Sequence, residues 1–234
     1  MIDRDLLQAF VATFYGYGTW NAPFWFVGME EAGVETLADF ERRLQAWIDE
    51  GKPSLVDLKR FHERIGFGAS LSESAPLQPT WRPLIRAVQV ATNKDTSVAT
   101  LREYQANHLG RDDGETALIE LLPLPSSDTN KWPYESIRIE GFATRKEYTK
   151  TLTPRRVAGL LDHIDRHKPR AVVFYGNPAF WREKVQLAPV APHIWSRRHD
   201  ATLLIATRHP AARGGSSNAH WDSIGRLIGE AARS

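Results

Sequence analysis

Four short runs of apolar, strand-favouring residues, separated by stretches of helical periodicity, constrain this 234-residue chain more than any other feature. They are Phe24 to Val27, Ala117 to Leu122, Ala171 to Tyr175 and Thr202 to Ala206. Runs without a polar face suit a parallel sheet covered on both sides. The expectation is therefore an α/β fold: a three-layer α/β/α sandwich with a central four-stranded parallel sheet. Between the runs, Leu37, Phe40, Leu44, Trp47 and Ile48 share one helical face, as do Val157, Leu160, Leu161 and Ile164. The second of these helices has Thr153 as its expected N-cap and Pro154 at its first position. A last helix is expected from about Ala219 to Ala232, with Trp221, Ile224, Leu227 and Ile228 inward. Segments 66–83 and 123–136 are rich in Gly, Ser and Pro but punctuated by aromatics, so they read as ordered loops. With no repeat and no second core, residues 1–234 form a single domain.

Composition narrows the chemistry. The chain has no cysteine, which excludes disulfides, thiolate zinc, iron-sulfur clusters and a cysteine nucleophile. The start MIDRDLLQAF has acids where a signal peptide needs basic residues, and no apolar stretch approaches the ~18 residues of a membrane span. A cytoplasmic protein with no membrane contact is expected. The formal net charge of +2 conceals an asymmetry: acids exceed bases by seven in residues 1–144, and bases exceed acids by nine in residues 145–213. The basic stretch is either a solvated face or a side that meets a polyanion.

Three of the four runs end in residues that a plain linker does not need: Gly28-Met29-Glu30-Glu31, Leu124-Pro125-Ser126-Ser127 and Arg208-His209-Pro210. In open parallel sheets ligand sites collect outside the carboxyl ends of the strands, so these loops should converge. Glu30 and Glu31 directly after a buried strand are either helix-start acids favoured by the dipole, or groups that pair with cations, bind metal or act on a substrate. His209 is followed by proline, then by small residues, Arg213, and the hydroxyls of Ser216 and Ser217 near a helix start, a loop suited to phosphate.

Taken together, the order and spacing of these motifs resemble the uracil-DNA glycosylase superfamily, which places a Gly-x-acid-or-amide motif after its first strand and a His-Pro-Ser motif after its last. The resemblance covers about residues 24 to 232, each motif being degenerate. Phe67 in Gly66-Phe67-Gly68-Ala69-Ser70-Leu71 lies where the family's base-stacking phenylalanine lies, and Pro76 to Trp81 is similar to its DNA-pinching loop. Leu118 to Leu122 takes the place of the strand whose asparagine reads uracil, and Val172 to Ala179, with Asn177, that of the strand and turn reaching a backbone phosphate.

The resemblance implies hydrolysis of the bond between a flipped-out DNA base and its deoxyribose, leaving an abasic site, by a monomer with no cofactor and no metal. It implies that Glu30 activates water and stabilises the sugar cation, that a neutral His209 donates to the departing base, and that Phe67 stacks on it. Arg213 falls at the family's wedge position; Ser216, Ser217, Asn177 and Arg208 would hold the distorted strand. Glu31 stands where most relatives carry proline, so which of the adjacent glutamates faces the sugar stays open.

Glu120 is the informative departure. An ionised carboxylate cannot donate to uracil O4 but accepts from an exocyclic amine such as cytosine N4, which points to a cytosine-type or other amine-bearing base. Because removing ordinary cytosine would destroy the host's genome, the expectation is a modified cytosine, for instance one bulked at carbon 5, as in viral DNA. Paired with an arginine, or protonated and so able to donate, Glu120 would not discriminate in that way. Trp20, Trp25, Trp47, Trp181 and Trp221 are expected in the core; Trp132 and Tyr134 are the candidates for nucleic-acid contact. His163 and His167, an i, i+4 pair, read as a solvated helix face, and nothing places Lys131 near the sugar as a nucleophile, which favours a monofunctional hydrolase. Two other readings remain: a metal-dependent nuclease or phosphohydrolase gathering Mg²⁺ with Glu30, Glu31, Glu120 and Asp128, and a non-catalytic binder of a modified base.

Overall fold

The computed structural model describes residues 2–126, 132–137, 139–212 and 217–231. Its backbone is one eight-stranded mixed sheet with helices: β1 (Gly16–Tyr17), β2 (Phe24–Glu30), β3 (Leu55–Val56), β4 (Thr116–Leu122), β5 (Ala171–Tyr175), β6 (Ala188–Ala191), β7 (Ile194–His199) and β8 (Thr202–Thr207), in the order β3-β1-β4-β2-β5-β8-β7-β6. The four runs read from the sequence are β2, β4, β5 and β8, which lie side by side and mutually parallel. Alternate residues of β2 feed separate apolar clusters: Phe24 and Phe26 join α1 (Arg4–Thr13), α2 (Leu37–Asp49), α3 (Leu58–Arg64), α4 (Trp81–Ala91), α5 (Val98–Asn107) and α8 (Asn218–Ala231). Trp25 and Val27 pack instead with α6 (Arg145–His167) and α7 (Pro178–Lys184). Among the described residues no helix is long and apolar enough to cross a membrane.

The sheet is twice as wide as the four-stranded one expected. β1 and β3 have two residues each, too short to show a pattern, and β1 runs antiparallel to β4. β6 and β7 form an antiparallel hairpin on β8 whose residues are mostly exposed or half-buried, and its two turns place His193 (φ 62°) and Asp200 (φ 49°) in the left-handed region. Without glycine at those turns, the hairpin carries no strong sequence signal.

α6 begins nine residues before the expected Thr153-Pro154 start, capped by Thr144, whose side chain accepts from the Glu147 N–H. Pro154 sits inside it and removes one intrahelical bond, a cost borne because Tyr148 and Leu152, both before the proline, are buried. Four of the five core tryptophans, Trp25, Trp47, Trp181 and Trp221, are fully buried. Trp20 is half-buried and stacks on His163 at 3.9 Å between ring centroids, so the His163/His167 face is partly covered, and burial pushes His163 down to about 4. Trp132 and Tyr134 do not reach out to a ligand. The Tyr134 hydroxyl donates to the Pro125 carbonyl from a buried position, the Trp132 indole donates to the Phe142 carbonyl, and the two rings pack together. The aromatics of this loop hold it to the core.

Candidate active site

The carboxyl ends of the parallel strands open into a cavity of about 450 Å³, within the ordinary range for a small-ligand site. β2 contributes Met29 and Glu30, followed by Glu31; β4 contributes Glu120; β5 ends in Tyr175 and Gly176; and the segment after β8 brings His209. Arg43 of α2 and His62 of α3 close one side, and Phe67, Gln78, Pro79 and Trp81 form the rest of the wall. Glu30, Glu31, Glu120, His209 and Phe67, read separately from the sequence, thus share one cavity. β5, the third of the four runs, lines the cavity through Tyr175, a residue not singled out from the sequence. Of the loop after β4, Leu124 and Ser126 are buried and do not line the cavity; the β4 residue that does is Glu120, within the strand.

Gly28 explains how Glu120 fits. The two residues are partners across β2 and β4, and a Cβ on Gly28 would lie 2.7 Å from Glu120 Oε2 and 2.8 Å from the Tyr175 hydroxyl oxygen. Only glycine lets both polar groups sit over this strand. Gly176, just after β5, is constrained by its backbone instead: its φ of 103° is one that other residues rarely adopt, while a Cβ there would make only ordinary contacts with His209 and Met29.

The three carboxyl groups differ in their surroundings. Glu31 is fully engaged: Arg43 donates to Oε2 at 2.9 Å and to Oε1 at 2.8 Å, the Tyr17 hydroxyl donates to Oε2 at 2.6 Å, and His62 Nε2 lies 3.8 Å from Oε1. Burial pushes the Glu31 carboxyl up, but Arg43, His62 and these hydrogen bonds outweigh it and hold it below the ordinary carboxylate range. Arg43, 4 % exposed, is held above its usual value because the Glu31 and Tyr17 contacts outweigh its desolvation. Glu30 forms an ion pair through Oε1 with Arg145, the first residue of α6, while its Oε2 is sealed without a hydrogen-bond partner. Glu120 is 9 % exposed, its Oε2 is likewise sealed and unpartnered, and burial, then Glu31 and Glu30, raise it well above the ordinary value. Burial and its two acidic neighbours thus favour the un-ionised acid, which has one donor and remaining acceptor capacity.

His209 is half-exposed and its Nδ1 accepts from the Ala211 N–H at 3.1 Å. Burial lowers its pKa, so the ring is neutral with its proton on Nε2, free to donate. The Tyr175 ring meets it edge-on at 5.6 Å. Phe67, 49 % exposed, lines the cavity with an open apolar surface.

The remaining expected residues stand outside the cavity. Asn177 is exposed and caps α7 by accepting from the Phe180 N–H, Arg208 donates to His193 Nε2, and Ser217 accepts from the His220 N–H at the start of α8. Arg213 and Ser216, like Lys131 and Asp128, lie outside the described residues. Among the described residues no group of three or more His, Asp or Glu is arranged to hold a metal ion. Both oxygens of Glu31 are already occupied by Arg43.

Sequence reasoning missed Tyr17, Arg43, His62 and Tyr175. Arg43 had a readable signal: it falls on the buried stripe of α2 between Phe40 and Trp47, where a charge needs a partner. Neither a protein-family model nor a curated protein matches the sequence.

Proposed function

We propose that this protein is a monofunctional DNA glycosylase, built as a uracil-DNA glycosylase-like α/β/α sandwich around the four parallel strands β4, β2, β5 and β8. The observation that carries this reading is the convergence of Glu30, Glu120, a neutral His209 and the open ring of Phe67 on one cavity of base-binding size. Breaking an N-glycosidic bond builds positive charge on the sugar and negative charge on the base. A carboxylate and a neutral hydrogen-bond donor are the two groups that this charge separation calls for. Glu30, rather than Glu31, is assigned the part of orienting water, because both Glu31 oxygens are held by Arg43, whereas Glu30 keeps Oε2 without a hydrogen-bond partner; that oxygen is sealed and must open to the cavity for this role. His209 donates from Nε2 to the departing base, Phe67 stacks on it, and Glu120 reads its edge.

The proposed substrate is a modified cytosine in DNA, bulked at carbon 5. A neutral Glu120 accepts from N4–H and donates to N3; the same acid with its proton on the other oxygen also complements uracil, so discrimination against uracil does not come from charge. Arg208, Ser217 and Asn177, with Arg213 and Ser216, would hold the DNA strand, and the protein would act as a cytoplasmic monomer without metal or cofactor. Part of the basic excess after residue 144 is used internally, by Arg145 on Glu30 and by Arg156 on main-chain carbonyls. Exposed bases of the same stretch, such as Lys146, Lys150 and Arg166, are left to meet phosphate, so binding should fall steeply with salt.

The test is mass spectrometry of free bases released from DNAs carrying uracil, cytosine and 5-substituted cytosines. Release of a modified cytosine, slowed about 10²- to 10³-fold by His209→Ala, is the expected result. No free base from any DNA, or strand scission without base release, contradicts it.

A further inference from the structure

Three carboxyl groups face the cavity and two guanidinium groups serve them. Arg43 is committed to Glu31 and Arg145 to Glu30. Glu120, on the neighbouring strand, has its Oε2 packed over Gly28 without a hydrogen-bond partner. An anion there would be a buried, uncompensated charge beside two others, which is the arrangement that most strongly favours holding a proton. Glu30 and Glu31 favour that proton and Arg43 opposes it, while burial keeps Tyr175, His62 and His209 uncharged. The site therefore holds an un-ionised acid next to the place where the base departs.

We propose that Glu120 is a catalytic acid of this site, delivering its proton to ring nitrogen N3 of a cytosine-type base as the glycosidic bond breaks. The inference rests on the glycosylase reading above. His209 can polarise the base, but as a neutral imidazole it keeps its own proton. A cytosine ring, with an amine where uracil has a second carbonyl, is a poor leaving anion, and a proton on N3 lets it leave uncharged. The step balances. The Glu120 O–H bond breaks and N3–H forms, the C1′–N1 electron pair moves into the ring, and water adds to C1′ while Glu30 takes its proton. Glu30 then loses a proton to solvent and Glu120 regains one, so no other reactant is needed. Two acids with separate protonation states thereby take opposite parts, base and acid, in one turnover.

The experiment is single-turnover base release from duplexes carrying cytosine, 5-hydroxymethylcytosine, 5-fluorocytosine or uracil. The wild type is compared with Glu120→Gln, an amide that can still pair with the base edge but cannot give up a proton in this way. Across the bases that the wild type releases, the loss in Glu120→Gln should grow as the base becomes a poorer leaving anion and reach about 10²-fold or more for the poorest. Wild-type release of a cytosine-type base should also slow more in D₂O than release by Glu120→Gln, since the proton transfer from water to Glu30 remains in both and the transfer from Glu120 is lost in the variant. A uniform loss across bases, no loss, or an isotope effect equal in the two proteins overturns the proposal while leaving the glycosylase reading in place. A wild type that releases none of the bases removes that reading and this inference with it.

Discussion

Glu31, just past the end of β2, and Glu120, within the neighbouring parallel strand β4, line the same cavity, yet their surroundings push one toward the carboxylate and the other toward the un-ionised acid. Burial pushes both upward. The difference is that Glu31 receives a two-pronged guanidinium and a tyrosine hydroxyl, whereas Glu120 Oε2 receives nothing. Available cations, rather than depth, set the protonation state here. An active site built this way holds a fixed anion, which shapes the field, and a neutral group next to it, which can exchange a proton.

The largest expected effect comes from taking away the cation that makes the two glutamates differ. Arg43→Met should cost about 3–5 kcal/mol in urea unfolding, because it leaves the Glu31 carboxylate without a cation, with only the Tyr17 hydroxyl and His62 beside it. Adding Glu31→Gln to Arg43→Met should recover much of the loss, since the orphaned charge is then removed. A single variant that unfolds like the wild type would mean that the pair does not sustain the contrast.

Intermediate effects come from pH, and they have opposite signs for the two groups. The folded-state value of Glu31 is depressed below 4.5, so its contribution to stability is present above that pH and is lost as pH falls through the depressed value. Glu120 is raised above 4.5, so above that pH the unfolded chain releases a proton that the folded chain keeps, and the folded state is penalised increasingly as pH rises. Glu120→Gln should therefore stabilise the protein at pH 8, by about 1–3 kcal/mol, and give no gain at pH 4. Urea titrations at the two pH values measure this, and a gain that is equal at both removes the assignment.

The smallest effect belongs to the third carboxyl. The Glu30–Arg145 pair is more open, with the Arg145 side chain 29 % exposed. Arg145→Gln should cost only about 1 kcal/mol, and the difference from wild type should shrink in high salt. The Arg43 effect should persist there, since buried pairs are screened much less.

The four central strands are legible because each is a continuous apolar run, and the site because Glu30, Glu31 and His209 follow such runs directly. Glu120 was legible as an oddity, a single acid within the run Leu118 to Leu122. Its protonation could be read only as one alternative, because that depends on burial and on Glu31, Glu30 and Arg43, which the fold brings to it from far along the chain. Tyr175 gave no sign in the sequence: it ends an apolar run and looks like its continuation. Pro154 misplaced the start of α6 because a proline at a helix start and one tolerated inside a helix read alike until Tyr148 and Leu152 are seen to be buried. The edge hairpin, lacking glycine turns and an apolar face, left no pattern to find.

The central claim is that one cavity holds a paired carboxylate and a neutral acid on adjacent strands. The most direct measurement is the infrared difference spectrum of wild type against Glu120→Gln at pH 7, in the region where protonated carboxyl groups absorb apart from carboxylates. A protonated-carboxyl band that disappears with the substitution is the predicted result. Loss of the carboxylate bands instead, with no protonated-carboxyl band in the wild type, would show Glu120 to be ionised and contradict the claim.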